Sequence, residues 1–108
     1  MRFAGTTLVD ALDEWQLVMR SLNRSPETIR TYSVAVMQFD QHAGRPTVDQ
    51  VTPSMIRAYL TSVLATKTAS TAVTRWGGLL AFFKWAAAEG FTNNTAAVGR
   101  RLATAGGL

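Results

Sequence analysis

The fold of this chain is decided by residues 70–90, STAVTRWGGLLAFFKWAAAEG. This stretch contains no proline and ends at a glycine. Its apolar residues recur at steps of three and four, which predicts one long helix with a broad apolar face. That face consists of Ala72, Val73, Trp76, Leu79, Leu80, Phe83 and Ala87. Because so much apolar surface must be covered by other elements, we expect this helix to form the centre of a helical domain.

The other side of the first half of this helix has a different composition. It carries small, hydroxylated or basic residues, namely Ser70, Thr71, Thr74, Arg75 and Gly78. Hydroxyl groups and arginine are common donors to phosphate oxygens. The sequence therefore predicts that this helix supplies both the core and half of a binding surface for a nucleic-acid backbone.

Three further helices precede it, each opened by a hydroxyl residue of the kind that caps a helix N-terminus. Their predicted ranges are residues 7–22, 25–43 and 52–65. In the second and third, Pro26 and Pro53 follow the cap directly, where proline is preset for the first helical position. The predicted inward-facing residues are Leu8, Leu12, Trp15, Met19 and Leu22, then Ile29, Tyr32, Val36, Phe39 and Ala43, then Ile56, Tyr59, Leu60, Val63 and Leu64.

The predicted fold class is all-α, a compact orthogonal bundle of four main helices. Residues 1–6 are expected to form an N-terminal tail, and residues 7–94 the helical domain. Residues 95–108 are expected to form a short fifth helix, about Thr95 to Leu102, or a linker. The segment Val48–Val51 is too short to form a sheet.

Composition excludes several classes of protein. The chain has 108 residues, 47% of them hydrophobic, which indicates one folded domain and excludes general disorder. It has no cysteine, so it has no disulfide, thiol nucleophile or cysteine-bound metal. No segment of eighteen apolar residues and no signal-peptide pattern is present, so we expect a cytoplasmic protein without a membrane partner. The net charge of +4 favours a polyanionic partner.

No catalytic, metal or cofactor site is predicted. His42 is the only histidine, and a single histidine beside Gly44 at a helix end is more typical of capping or charge than of catalysis. Acidic residues do not show metal-ligand spacing. The pair Gly77-Gly78 lies within a helical pattern, where close approach of a neighbouring helix explains it better than a phosphate loop. Phe82 and Trp85 are expected near the edge of the apolar face of the long helix.

Two segments resemble the N-terminal core-binding domain of tyrosine recombinases, the phage-integrase and Xer-type family, a domain also described as SAM-like. SPETIRTYSVAVMQFDQHAG, residues 25–44, resembles the Ser-Pro-x-Thr-(Ile/Leu)-x-x-Tyr helix of that family. STAVTRWGGLLAFFKWAAAEGFTNN, residues 70–94, is similar to its closing helix. The chain departs from the pattern at Asn94-Thr95, where Asn-Pro is usual, and in its two adjacent glycines.

The resemblance implies a partner and a role. The N-terminal and catalytic domains of such recombinases form a C-shaped clamp around double-stranded DNA during integration or other recombination. The second and fourth helices cross the major groove. The DNA-binding residues that this implies are Arg24, Ser25, Thr28, Arg30, Thr31, Lys67, Thr68, Ser70, Thr71, Thr74 and Arg75. The catalytic Arg, Lys, His and Tyr set of the family is not found in these 108 residues. The resemblance therefore implies a catalytic domain following Leu108, and further recombinase protomers on the DNA.

Two alternatives stay open. Ser25, Thr28, Ser70 and Thr71 are also the residue types that cap helices, and capping is compatible with a DNA contact. A helical protein–protein interaction module, with an exposed apolar strip as its binding site, is the alternative function.

Overall fold

Four α-helices joined by short connections make up residues 5–90, the part of the chain that the computed structural model describes. They are α1 (Leu8–Ser21), α2 (Pro26–His42), α3 (Pro53–Thr66) and α4 (Ala69–Ala88), and a short 3₁₀ helix, Val48–Gln50, precedes α3. The all-α prediction with four main helices is confirmed. The predicted fifth helix over residues 95–102 lies outside the described residues.

Each α-helix begins at a hydroxyl residue whose side chain accepts a hydrogen bond from the backbone three residues later. These caps are Thr7, Ser25, Thr52 and Thr68, with oxygen–nitrogen distances of 3.1, 3.1, 3.3 and 3.1 Å. The first three were predicted from sequence. The α4 cap is Thr68 rather than Ser70, so α4 begins slightly earlier than predicted. Caps satisfy backbone N–H groups that have no partner inside the helix, and so they set where each helix begins.

The connection from α2 to α3 is anchored at both ends. Gly44 has a φ of 82°, and Arg45 N–H donates to the carbonyl of Asp40 at 2.8 Å, which closes α2. The Arg45 guanidinium also contacts the buried Asp40 carboxylate at 3.3 Å. Further on, Val48 N–H donates to the Thr6 carbonyl at 2.8 Å. The loop is thus tied to α2 and to the segment before α1.

The most extensive helix–helix contact joins α2 and α4, and Gly78 makes it possible. A Cβ atom at Gly78 would lie 2.8 Å from the Cβ of Ala35 and 3.4 Å from the Cα of Tyr32. At Gly77 an added Cβ would meet nothing within 4 Å. The prediction of close helix approach is confirmed for Gly78. Its placement on the outer side of the helix was wrong, because that side of α4 is where α2 packs.

Aromatic rings form a continuous series through the core. Trp15 stacks on Tyr32 at 5.6 Å and meets Phe82 edge-on at 5.4 Å, while Phe82 contacts Phe83 at 5.1 Å. Phe39 continues the series to Phe83 at 6.4 Å. Phe82, predicted at the edge of the apolar face, is fully buried. The rings therefore connect α1, α2 and α4 in one core.

Three residues predicted to face inward are exposed. Leu22 is 62% exposed, Leu64 46% and Val73 50%. Each lies near a helix end, Leu22 at the C-cap of α1, Leu64 in the last turn of α3 and Val73 in the second turn of α4. The spacing of apolar residues identifies a helix face but not how far a neighbouring helix covers it.

We expect opposite effects from alanine at the two adjacent glycines. Gly78→Ala should destabilise the domain by about 1–3 kcal/mol, because the added methyl overlaps Ala35. Gly77→Ala should stabilise it by up to about 1 kcal/mol, because alanine favours the helix and the space is open. Urea unfolding of both variants measures the difference, and equal effects would contradict the close contact at Gly78.

Two aspartates should affect stability with opposite dependence on pH. Burial raises the pKa of Asp40 above its usual 3.8, although the Arg45 guanidinium acts in the other direction. The folded protein therefore binds a proton at the Asp40 carboxyl group more tightly than the unfolded chain does. The stability of the wild type relative to Asp40→Asn should therefore fall as pH rises from 3.8 through the raised pKa.

Asp49 is the matched control. The hydrogen bond from Thr47 is the main cause that lowers the pKa of Asp49. The contribution of the ionised Asp49 to the free energy of unfolding is therefore present above pH 3.8 and is lost as pH falls through the lowered pKa. Relative to Asp49→Asn, the wild type should therefore gain stability as pH rises. Urea unfolding between pH 2.5 and 7 compares the two, and slopes of the same sign would contradict this assignment.

Candidate nucleic-acid interface

The residues predicted to bind DNA form two groups at opposite ends of the α2–α4 pair. The α2 group is Arg24, Ser25, Thr28, Arg30 and Thr31, and the α4 group is Lys67, Thr68, Ser70, Thr71, Thr74 and Arg75. The two helices run in roughly opposite directions, because the start of α2 lies beside the second half of α4. Arg24 and Thr28 share a pocket with Ala81 and Trp85, whereas Arg75 shares one with Gln38 near the end of α2.

The two groups therefore lie on the same pair of helices, but they are too far apart to form one cluster. Thr28 and Gln38 are ten residues apart on α2, which is about 15 Å at a helical rise of 1.5 Å per residue. The major groove of DNA is about 12 Å wide, so this separation is of the same order. An elongated ligand can contact both groups, whereas a small molecule cannot.

The α2 group surrounds the helix N-terminus. Ser25 Oγ accepts from the backbone N–H of Thr28 at 3.1 Å and donates to its Oγ1 at 2.9 Å. Arg24, Ser25 and Arg30 are exposed, while Thr28 and Thr31 are half-buried. Arg30 lines a groove that α2 forms with α1, so it lies on a different side of α2 from Gly78. Glu27 is the acidic residue beside this group and opposes an anionic ligand locally.

Hydroxyl groups dominate the α4 group. Thr68 Oγ1 accepts from the backbone N–H of Thr71 at 3.1 Å, and the two hydroxyls are also 3.1 Å apart. Thr74 Oγ1 donates to the Ser70 carbonyl at 3.0 Å. Lys67, Thr68, Ser70 and Thr74 are exposed. Three of the four suspected caps, Ser25, Thr28 and Thr71, thus take part in cap hydrogen bonds. The fourth, Ser70, does not cap α4.

Arg75 is not a free surface arginine. Its Nη1 donates to the Tyr59 hydroxyl at 2.6 Å, and its side chain is half-buried. The sequence placed Arg75 on the face opposite the core, and this was wrong because that face of α4 packs on α3, which carries Tyr59. Tyr59 is only 4% exposed, so the hydrogen bond attaches Arg75 to the core.

The structure adds residues that sequence reasoning did not assign to the interface. Gln38, Gln41 and His42, from the last turns of α2, line the same pocket as Lys67 and Arg75. Gln38 and Gln41 were not among the residues predicted to face inward, but nothing in the sequence indicated that α4 would begin beside them. Their proximity depends on how α2 crosses α4.

The family comparison agrees with this architecture. Residues 11–91 match the family described as the N-terminal SAM-like domain of phage integrase. The chain belongs to this family. The match covers about three quarters of the chain. It includes the whole of α2, α3 and α4, and α1 without its first turn. Comparisons with curated proteins and with solved structures found no match.

In this integrase-family domain, no helix of residues 5–90 is both long and apolar enough to cross a membrane. Within the same residues, no three histidine, aspartate or glutamate side chains converge as a group that could hold a metal ion. The candidate interface consists of hydroxyl, amide and cationic groups on α2, α4 and the α3–α4 connection.

Capping and surface roles can be separated with two neighbouring hydroxyl residues. Thr68→Ala should destabilise the domain by about 0.5–2 kcal/mol, because it removes the α4 cap. Ser70→Ala should change stability by less than about 0.5 kcal/mol, because Ser70 is exposed and is not the cap. Thermal unfolding of both variants measures this, and a larger cost at Ser70 would contradict the cap assignment.

Proposed function

We propose that this domain binds duplex DNA as the N-terminal half of a clamp in a tyrosine-type recombinase. The family match carries the proposal, since residues 11–91 match the N-terminal SAM-like domain of phage integrase. The catalytic half of the clamp would belong to the same parent protein, and other protomers would occupy the same DNA. An Xer-like subtype, proposed from the sequence resemblance, is a narrower form of the same hypothesis.

Backbone contacts would come first from the ends of α2 and α4. Both helices begin with an exposed cap, Ser25 or Thr68, at the positive end of the helix dipole. Arg24 precedes the first cap and Lys67 the second, and both are exposed. A helix N-terminus beside a cation is a favourable site for a phosphate, so each end would hold one strand of the backbone.

Base contacts would fall to an arginine that is free to reorient. Arg30 is exposed and lies one turn beyond the α2 cap, whereas Arg75 is held by Tyr59. Arginine recognises guanine through paired hydrogen bonds in the major groove. Arg30 is therefore the better candidate for reading sequence, and Arg75 the better candidate for a fixed phosphate contact.

The fragment itself would be non-catalytic. The nucleophilic tyrosine of the family has no counterpart that fits, because Tyr59 is buried and Tyr32 is half-buried in a stack with Trp15. Incubation with supercoiled plasmid should leave no covalent protein–DNA adduct. The parent protein would supply strand cleavage through its other domain.

One observation favours the alternative function, a protein–protein module. A groove of about 540 Å³ between α1 and α2 has apolar side chains in it, among them Ile29, Val34 and Met37, and Met37 is 46% exposed. Arg20 and Arg30 also line this groove. An apolar groove of this kind suits a peptide, and binding through its apolar side chains would depend less on salt than binding to DNA phosphates.

Salt dependence distinguishes the two functions. Half a clamp that neutralises about three to five phosphates should show a log–log slope of roughly −3 to −4.5. The affinity of the isolated domain for duplex DNA should be in the non-specific range, about 10⁻⁴ to 10⁻⁶ M near physiological salt. Fluorescence anisotropy with a labelled duplex at several salt concentrations measures both. A flat salt response would favour the protein–protein module.

The arginine at the start of α2 gives a sharper test of the surface. Arg24→Ala should reduce the magnitude of the salt slope by about one unit while leaving stability unchanged, because Arg24 is exposed. Asp13→Asn serves as a control, since Asp13 is exposed on α1 and belongs to neither group. If both variants bind DNA like the wild type, the α2 group is not part of the interface.

A further inference from the structure

A small polar pocket lies where the end of α2, the second half of α3 and the start of α4 meet. It has a volume of about 330 Å³. This Arg75 pocket is lined by Gln38, Gln41, His42, Tyr59, Lys67 and Arg75, together with residues of α3. None of its lining residues is acidic.

Arg75 is held in this pocket before any ligand arrives. Its Nη1 donates to the Tyr59 hydroxyl at 2.6 Å. The Tyr59 ring is fixed in turn, because it packs edge-on against Phe39 at 5.8 Å and lies tilted against the His42 ring at 5.4 Å. A guanidinium has five N–H donors, and this hydrogen bond uses one of them. The remaining donors are therefore presented in a fixed direction, which reduces the entropy lost on binding.

The charges of the pocket select an anion. Lys67 and Arg75 supply two cations, His42 supplies an imidazole, and the amides of Gln38 and Gln41 can donate hydrogen bonds. The C-terminal ends of α2 and α3 disfavour an anion here, because each carries a partial negative charge of about half a unit. The N-terminus of α4 carries a partial positive charge and favours an anion. Two full cationic charges outweigh these dipoles.

We propose that the Arg75 pocket receives one phosphate group of the DNA backbone and that Tyr59 is the positioning residue that holds Arg75 for it. This inference rests on the proposed function, since the phosphate belongs to the same duplex. It extends the interface to Gln38, Gln41 and His42. A phosphodiester and free inorganic phosphate share the chemistry that this pocket recognises, so the experiment separates them.

Removing one hydroxyl tests the positioning role. Tyr59→Phe keeps the ring that packs on Phe39 and leaves every charge in place. The affinity for duplex DNA should fall by about three- to tenfold, and the salt slope should not change. Arg75→Gln should lower affinity as well and should reduce the magnitude of the slope by about one unit. Arg57→Gln is the charge-matched control, since Arg57 is exposed on α3 and does not line the pocket.

The double variant separates positioning from a purely structural effect. If Tyr59 acts through Arg75, Tyr59→Phe should cost nothing further in the Arg75→Gln background. Affinities are calculated per folded molecule from unfolding curves measured alongside. Additive losses, or an unchanged affinity of Tyr59→Phe, would overturn the positioning role.

A chemically altered duplex identifies the source of the phosphate. Replacing single phosphates by neutral methylphosphonates, one position at a time, should reveal one position that weakens the wild type but not Arg75→Gln. Inorganic phosphate is titrated separately and followed by NMR of the Arg75 and His42 side chains. If these signals saturate with inorganic phosphate while no methylphosphonate position depends on Arg75, the pocket binds free phosphate and the DNA assignment is wrong.

Failure of this inference differs from failure of the proposed function. A wild-type domain that binds no duplex at any salt concentration would overturn both. A wild-type domain that binds with the expected salt slope, while Tyr59→Phe and Arg75→Gln bind equally well, would overturn the Arg75 pocket alone.

Discussion

The close approach of α2 and α4 at Gly78 is the contact on which the rest of the molecule depends. With no side chain at this position, Ala35 and the Tyr32 backbone come close enough to leave no space for a Cβ. The start of each helix lies near the end of the other. The close contact lies midway between the two groups of residues that meet at either end of the pair.

The core and the candidate interface are physically connected through this pair. Aromatic rings run from Trp15 through Phe82 and Phe83 to Phe39, and Phe39 contacts Tyr59. The Tyr59 hydroxyl then binds Arg75 at the surface. A cation fixed to a packed core loses little freedom on binding, whereas an exposed lysine or arginine loses more. The two ends of the α2–α4 pair therefore offer different kinds of contact.

The two ends also differ in how they would hold DNA. At the start of α2, Arg24 and Arg30 are exposed and can adapt to the groove that they meet. At the start of α4, the Arg75 position is set by α3. One fixed contact and several mobile contacts of this kind are consistent with the proposed DNA-binding role. The match to the N-terminal SAM-like domain of phage integrase is the reason for proposing DNA as the ligand of both ends.

Local sequence signals were sufficient to predict where three of the four helices begin, whereas the buried faces depend on tertiary packing. Helix starts were predictable at Thr7, Ser25 and Thr52 because capping is local and involves residues three apart. The buried side of α4 was predictable only in part. Ala72, Leu79 and Phe83 are buried as predicted. Gly78 and Phe82 are also buried, because apolar residues surround most of that helix and their spacing does not limit the buried side to one narrow face. The burial of Phe82 and the turn of Arg75 toward Tyr59 depend on where α2 and α3 cross α4. Those crossings follow from side-chain packing between residues far apart in the chain, which helical periodicity does not encode.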